Sequence, residues 1–227
     1  MAKIRFPGES AAYRAARDEL LRAELALRDE RERVAQLRRK LPPGGKVETD
    51  YVFREGPADP ARNDPADFFD TRFSELFAEG KPNLIVINFM FGPDWDKGCP
   101  MCSMWADGYD AVQPHIDQTA NLALVAKAEL IKVRGWAATR GWSKLRLLSS
   151  HDNSFNEDYA TEEGENQYPG VTVFRREPDG SIRHSYTTEG SLVLEHHRAM
   201  DLFTPVWNLL DLLPEGRADW FPRHAYD

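Results

Sequence analysis

The sequence predicts an α/β sandwich built on a mixed sheet and preceded by a long helical arm. Three observations carry this. Residues 83–91 form a nearly continuous apolar run rich in β-branched side chains, which suits a central strand covered on both faces. Segments with strand and helix character then alternate: a strand over 120–125, a helix over 129–140 stopped by Gly141, and a strand over 145–148. Finally, 171–176 and 182–186 flank Pro178-Asp179-Gly180-Ser181, a turn signal that reads as a β-hairpin.

The elements follow in order. Residues 9–41 are rich in Ala, Leu, Glu and Arg and contain Pro and Gly nowhere, so they predict one helix, with Ser10 as N-cap and Pro42-Pro43-Gly44-Gly45 as its stop. Tyr13, Leu20, Leu27, Val34 and Leu41 recur every seven residues, with Ala16, Ala23, Glu30 and Leu37 between them. That seam asks for a partner, either the chain's own domain or a second copy in a homodimer. Residues 1–45 carry a net charge of +4 and the remainder −12, so arm and body attract each other within or between chains. The boundary separates an arm, 1–45, from a domain, 46–227. Within the domain, 50–54 reads as a strand and 68–77 as a short helix ending near Gly80. Residues 92–98 are a loop. Cys99 opens a helix, with Pro100 suited to its first turn. Residues 149–168 read as a polar loop holding six carboxylates (Asp152, Glu157, Asp158, Glu162, Glu163, Glu165) and no Lys or Arg. A last helix covers much of 192–213, kinked or restarted at Pro205.

Composition excludes whole classes of function. The 227 residues carry a formal net charge of −8, which argues against a nucleic-acid binder. No apolar run approaches the ~18 residues of a membrane span. The first ten residues lack a signal-peptide core, so the expected location is the cytoplasm. Two cysteines cannot build a disulfide-stapled scaffold. Gly-rich phosphate signatures are absent, and neither a nucleotide nor any other cofactor is implied.

Cys99-Pro100-Met101-Cys102 lies where the central strand hands over to a helix. A thiolate is the reactive form of cysteine, and the unpaired amides and positive dipole end of a helix N-terminus stabilise an anion. Cys99 is therefore the candidate nucleophile. Cys102, one turn later, is placed to close a disulfide after a mixed disulfide forms. Two readings compete: a pair of inert buried thiols, and half of a zinc site. Zinc usually takes four ligands, no second Cys pair exists, and the adjacent His196-His197 side chains would point apart on a helix, so no metal site is assigned. His115, His151, His184 and His224 are scattered and read as ordinary surface or core histidines.

The strand, the Cys-Pro-Met-Cys motif and the later Tyr168-Pro169-Gly170-Val171 together resemble a thioredoxin fold. The chain is more closely similar, over nearly its full length, to a bacterial thioredoxin-like family of unknown function, loosely described as dithiol-disulfide oxidoreductases. The segments that carry this include Leu41-Pro42-Pro43-Gly44, Phe89-Met90-Phe91-Gly92-Pro93, Asp152-Asn153-Ser154-Phe155-Asn156 and Pro205-Val206-Trp207. The resemblance implies a thiol–disulfide oxidoreductase acting on a protein or small-molecule disulfide. Cys99 would attack and Cys102 resolve, while Tyr168, Pro169, Pro100, Met101 and Trp95 would line the substrate groove. It also implies that Tyr168–Pro169 is a cis peptide facing the cysteines, with the Tyr168 backbone free to pair with a substrate strand. Two departures stand out. Many thioredoxins bury an acid on the strand before the motif, where Asn88 stands here, which leaves water, Asp94 or Asp96 to assist Cys102. The acidic 149–168 segment would disfavour a Cys99 thiolate if it borders the site, and Lys97 would favour one. Two alternatives belong to other classes. One is a peroxiredoxin-like peroxidase, opposed by Asp96 at the position of that family's threonine. The other is a non-catalytic redox switch that makes its contacts through the arm.

Overall fold

A computed structural model describes residues 4–188 and 203–226. The chain divides into two compact units, Met1–Pro42 and Pro43–Asp227. The first is a single helix, α1 (Ala11–Arg39). Ser10 caps it, its hydroxyl oxygen accepting the Tyr13 N–H at 3.1 Å. The helix stops at Lys40 rather than at 41, because Leu41 precedes Pro42 and a residue before proline is driven out of the α region. Ion pairs run along its surface, among them Arg17–Glu24 at 2.9 Å and Arg39–Glu32 at 2.7 Å. No residue of α1 is buried, and Leu20 and Leu27 are each 52% exposed. The apolar seam runs along this one helix.

The second unit holds nine strands among its described residues: β1 (Val52–Glu55), β2 (Phe69–Arg72), β3 (Asn83–Asn88), β4 (Asn121–Ala126), β5 (Arg146–Ser149), β6 (Glu162–Glu163), β7 (Asn166–Gln167), β8 (Gly170–Arg176) and β9 (Ile182–Thr187). Its helices are α2 (Pro100–Ile116), α3 (Leu130–Arg140), the single turn α4 (Phe155–Asp158) and α5 (Val206–Leu210). Seven strands form one sheet in the order β2-β1-β5-β4-β3-β8-β9, and β6 pairs with β7 apart from it. β3, β4 and β5 are parallel neighbours joined through α2 and α3, whereas β8 runs antiparallel to β3 and β9 antiparallel to β8. This is the thioredoxin-like sandwich expected from the sequence, with its mixed sheet widened by β5, β1 and β2.

Alternation along the strands divides two cores. Leu84, Val86, Ala123 and Val125 face an aromatic cluster containing Tyr51, Phe53, Phe73, Phe155 and Phe174. Ile87, Leu122 and Leu124 face α2 and α3, packing with Cys102, Trp105, Val133 and Trp207. A period of two on a sheet covered on both faces produces the near-continuous apolar run of 83–91. Beyond Asn88 the chain stays tied to β4: the Phe89 N–H donates to the Val125 carbonyl at 2.9 Å and the Ala128 N–H to that of Phe91 at 2.8 Å.

Two expectations need correction. Residues 68–77 do not form a helix. Phe69–Arg72 is strand β2, hydrogen-bonded to β1, and only Phe73–Leu76 turns as a 3₁₀ segment. Pairing with β1 wins over local propensity, and the Thr71 hydroxyl locks it by donating to Glu55 at 2.7 Å. Segment 149–168 is not one open loop, since it contains α4 and the β6–β7 pair. Of the helix expected over 192–213, α5 starts directly after Pro205, and the part before Phe203 lies outside the described residues.

Candidate functional site

The site is built at the carboxyl end of β3. Residues 92–98 leave the sheet, and the chain returns when the Cys99 N–H donates to the Met90 carbonyl at 2.9 Å. Gly98 is required by space: a Cβ there would overlap the Phe89 ring and approach Trp136 Nε1 to 3.0 Å. Lys132 steadies the loop through its ammonium, which donates to the Pro93 carbonyl at 2.6 Å and the Trp95 carbonyl at 3.4 Å. Cys99 is the N-cap of α2 and Pro100 occupies its first turn. The Ser103 hydroxyl donates to the Cys99 carbonyl at 2.8 Å and accepts the Trp136 indole N–H at 3.0 Å. The backbone that carries Cys99 is thus pinned from β3, α2 and α3.

Both cysteines are free thiols, Cys99 partly exposed and Cys102 buried. The Cys99 pKa is lowered to about 7. The largest cause is the Cys102 thiol acting as donor to its sulfur. Burial opposes this, and the Cys102 and Met101 amides assist. Cys102 is pushed well up, chiefly by burial and then by Cys99. One accessible acidic thiol beside one buried reluctant thiol is an asymmetric pair suited to sequential thiol–disulfide exchange.

The other expected site residues divide. Pro100 and Met101 are half-buried at the start of α2, and Trp95 is half-buried, its indole folded over Gly92, where a Cβ would lie 2.9 Å from Nε1. Gly170 pairs with Asn88, which places Pro169 and Tyr168 at the end of β3 that leads to Cys99. The expected cis bond is absent, as the described residues contain no cis peptide. Nor is the Tyr168 backbone open: its N–H donates to the Thr161 carbonyl at 2.9 Å. The physical reason lies in β6–β7. That pair feeds the chain directly into β8, so a trans peptide keeps Tyr168 paired rather than facing outward. Asn88 is 1% exposed, its amide donating to the Thr172 hydroxyl at 3.1 Å and its carbonyl oxygen accepting from Thr161 at 3.4 Å.

Three carboxylates of the acidic segment have partners, Glu163 among them, accepting the Tyr168 hydroxyl at 3.3 Å. Glu162 pairs with Lys127 at 3.2 Å and Asp158 accepts the Tyr51 hydroxyl at 2.7 Å. Neither these carboxylates nor Lys97, Asp94 or Asp96 figures among the influences on Cys99. Among the described residues, no group of three His, Cys, Asp or Glu side chains could hold a metal ion. His196 and His197 lie outside them. His115 is exposed near the end of α2, His151 Nδ1 lies 3.3 Å from the Lys127 carbonyl, and His184 stacks on Tyr159. His224 proves to be a site neighbour. Its Nε2–H donates to the Gly98 carbonyl at 2.9 Å, and its ring meets Trp136 edge-on at 5.4 Å. A single histidine 125 residues downstream of Cys99 carries no local sequence signal for this.

No curated protein matches the chain. Among solved structures it is similar to a peroxiredoxin at 16% identity (TM-score 0.45, covering 60% of this chain and 78% of that one). It is similar to the Plasmodium falciparum antioxidant protein, a 1-Cys peroxiredoxin, at 13% (TM-score 0.46, 65% and 83%). It is also similar to reduced Prx3 from Vibrio vulnificus in complex with hydrogen peroxide at 12% (TM-score 0.48, 65% and 87%). The family model described as "Bacterial protein of unknown function (DUF899)" matches residues 4–226, and the chain belongs to that family.

Proposed function

We propose that the protein is a thiol–disulfide oxidoreductase in which Cys99 attacks a protein or small-molecule disulfide and Cys102 resolves the mixed disulfide. One observation carries the reading: a partly exposed thiol with its pKa lowered to about 7 sits at a helix start beside a buried thiol of raised pKa. Pro100 and Met101 follow Cys99 at the start of α2, Trp95 lies in the loop just before it, and Tyr168 and Pro169 sit at the same end of the sheet, so these five side chains are the proposed substrate surface. In the reducing cytoplasm such a pair rests as a dithiol and works as a reductant. Among the described residues no helix is long and apolar enough to cross a membrane. The test is catalytic reduction of insulin disulfides, with hydrogen peroxide as the competing oxidant. Turnover with the disulfide and none with peroxide supports the proposal. Peroxide turnover alone overturns it in favour of a peroxidase, and consumption of neither overturns it in favour of a switch.

The heptad stripe of α1, Tyr13, Leu20, Leu27, Val34 and Leu41, supports a homodimer as the assembly. A charged side chain at Leu27, 52% exposed in the single chain, should then convert a dimer to a monomer in Leu27→Glu while leaving the melting of the domain unchanged. Sedimentation of both proteins checks this, and identical monomeric sedimentation would remove the dimer.

A further inference from the structure

We propose that His224, brought back by the C-terminal tail, is a positioning residue for Cys99: it grips the peptide that carries the cysteine and so sets how readily the Cys99–Cys102 bond closes. The inference rests on the redox-pair reading and adds a residue to that same site.

The two halves of the pair are held differently. Cys102 lies inside α2, where the helix ladder fixes its backbone. Cys99 is the N-cap, with φ −54° and ψ 131°, outside the helical region. Its position therefore depends on what grips the Gly98–Cys99 peptide from beyond the helix. Glycine before it leaves that backbone more conformational freedom than any other residue would. One grip comes from the end of β3, where the N–H of this peptide, on Cys99, donates to the Met90 carbonyl at 2.9 Å. The other comes from the tail, where the carbonyl of the same peptide, on Gly98, accepts the His224 Nε2–H at 2.9 Å. In a trans peptide these two groups point opposite ways, so the bonds clamp it from two sides. The next carbonyl, that of Cys99 itself, accepts the Ser103 hydroxyl at 2.8 Å, and that hydroxyl accepts the Trp136 indole N–H at 3.0 Å. The His224 ring meets Trp136 edge-on. Tail and α3 thus brace the carbonyls on both sides of the Cys99 Cα.

His224 is an exposed residue, and it is anchored by charge rather than by burial. Arg140 of α3 donates to the His224 carbonyl at 2.8 Å, and the same guanidinium pairs with Asp107 of α2, its Nε 3.2 Å from Oδ1. The Trp142 indole N–H donates to that Oδ1 at 2.8 Å. A charge-assisted bond on the backbone of the histidine fixes the point from which its ring reaches the cysteine loop.

No proton or electron passes through His224. In the step it serves, the Cys102 thiolate attacks the Cys99 sulfur of the mixed disulfide. The Cys99–substrate bond breaks, the Cys99–Cys102 bond forms, and the departing thiolate takes up the proton that Cys102 gave up. The cysteine pair is oxidised by two electrons and the substrate disulfide reduced to two thiols. A disulfide tolerates only a narrow range of backbone separations, so a looser Cys99 peptide disfavours closure.

Two variants test this. His224→Leu removes the N–H, and His224→Gln keeps one the same number of bonds from the backbone. Equilibration against graded dithiol buffers reads closure of the internal disulfide. The closure equilibrium constant should fall about fivefold in His224→Leu, the worth of one hydrogen bond, and recover in His224→Gln. Hydrogen exchange of the Cys99 amide in the reduced protein, followed by nuclear magnetic resonance, should quicken in His224→Leu and recover in His224→Gln. An unmoved closure equilibrium in His224→Leu overturns the proposal. A bond that only adds to global stability gives that result, lowering the melting temperature and leaving closure unchanged. An equal fall in both variants also overturns it, because the ring packing on Trp136 would then be the cause. If the native protein closes no internal disulfide, the redox-pair reading fails, while exchange at the Cys99 amide still decides whether His224 holds that peptide.

Discussion

Cys102→Ser should arrest the reaction at a covalent mixed disulfide with its substrate, whereas Cys99→Ser should form none. The asymmetry follows from position. Cys99 is partly exposed at the N-cap of α2 with a pKa lowered to about 7, while Cys102 is 2% exposed and pushed well up. Only the first is a thiolate in appreciable amount near neutrality. Catalytic turnover should vanish in both variants, and non-reducing electrophoresis with mass spectrometry separates them: an adduct on Cys99 in one, unmodified protein in the other. Adducts on Cys102 in Cys99→Ser would reverse the assignment. The same cause sets a pH profile. Alkylation of Cys99 should rise from acid through a midpoint near 7, so the rate at pH 6 is about a tenth of its plateau. The linkage has a definite sign. A thiol whose folded pKa lies below its unfolded value adds stability that is fully present above the unfolded value and is lost as pH falls through about 7. Cys99→Ser should therefore flatten the stability of the reduced protein between about pH 7 and 9.

Asp110→Ala should destabilise the domain measurably. Asp110 is 8% exposed on α2, and one of its carboxylate oxygens, Oδ1, accepts three consecutive backbone N–H groups, from Ser143 at 2.9 Å, Lys144 at 2.8 Å and Leu145 at 3.0 Å. Those residues lead from α3 into β5, so the carboxylate fastens the cysteine-bearing helix to the segment that enters β5. Removing it leaves three amides without their acceptor, the Leu145 N–H buried and those of Ser143 and Lys144 on exposed residues that water can reach, for a total of about 2–3 kcal/mol. Asp110→Asn keeps an acceptor oxygen but loses its charge, and should cost about half as much. Denaturant unfolding of the three proteins measures this. A loss below about 1 kcal/mol in the alanine variant would mean that water replaces the carboxylate.

The sequence made the fold legible wherever one periodicity acted alone. The apolar run at 83–91, the alternation of segments after it and the Pro178–Ser181 turn led to β3, the parallel strands and the β8–β9 hairpin. It misled where tertiary pairing decides. Phe69–Arg72 carries no strand pattern, and only the edge of β1 makes it one. At the site, Cys99 and Cys102 were legible because helix-start chemistry is local. The environment was not: Asn88 meets Thr161 and Thr172, and Gly98 meets His224, across separations of 73, 84 and 126 residues. The cis reading of Pro169 failed for the same reason, since the β6–β7 pair that steers the chain into β8 spans only Glu162–Glu163 and Asn166–Gln167 and leaves no pattern in the sequence.

The central claim is that Cys99 and Cys102 form one two-electron redox couple, and equilibration against a graded series of dithiol buffers tests it most directly. With the reaction quenched by acid and free thiols counted by mass, the protein should pass in a single transition from two thiols to one internal Cys99–Cys102 disulfide. Two thiols persisting at every potential, or oxidation that yields only sulfinic acid on Cys99 or links between chains, would contradict it.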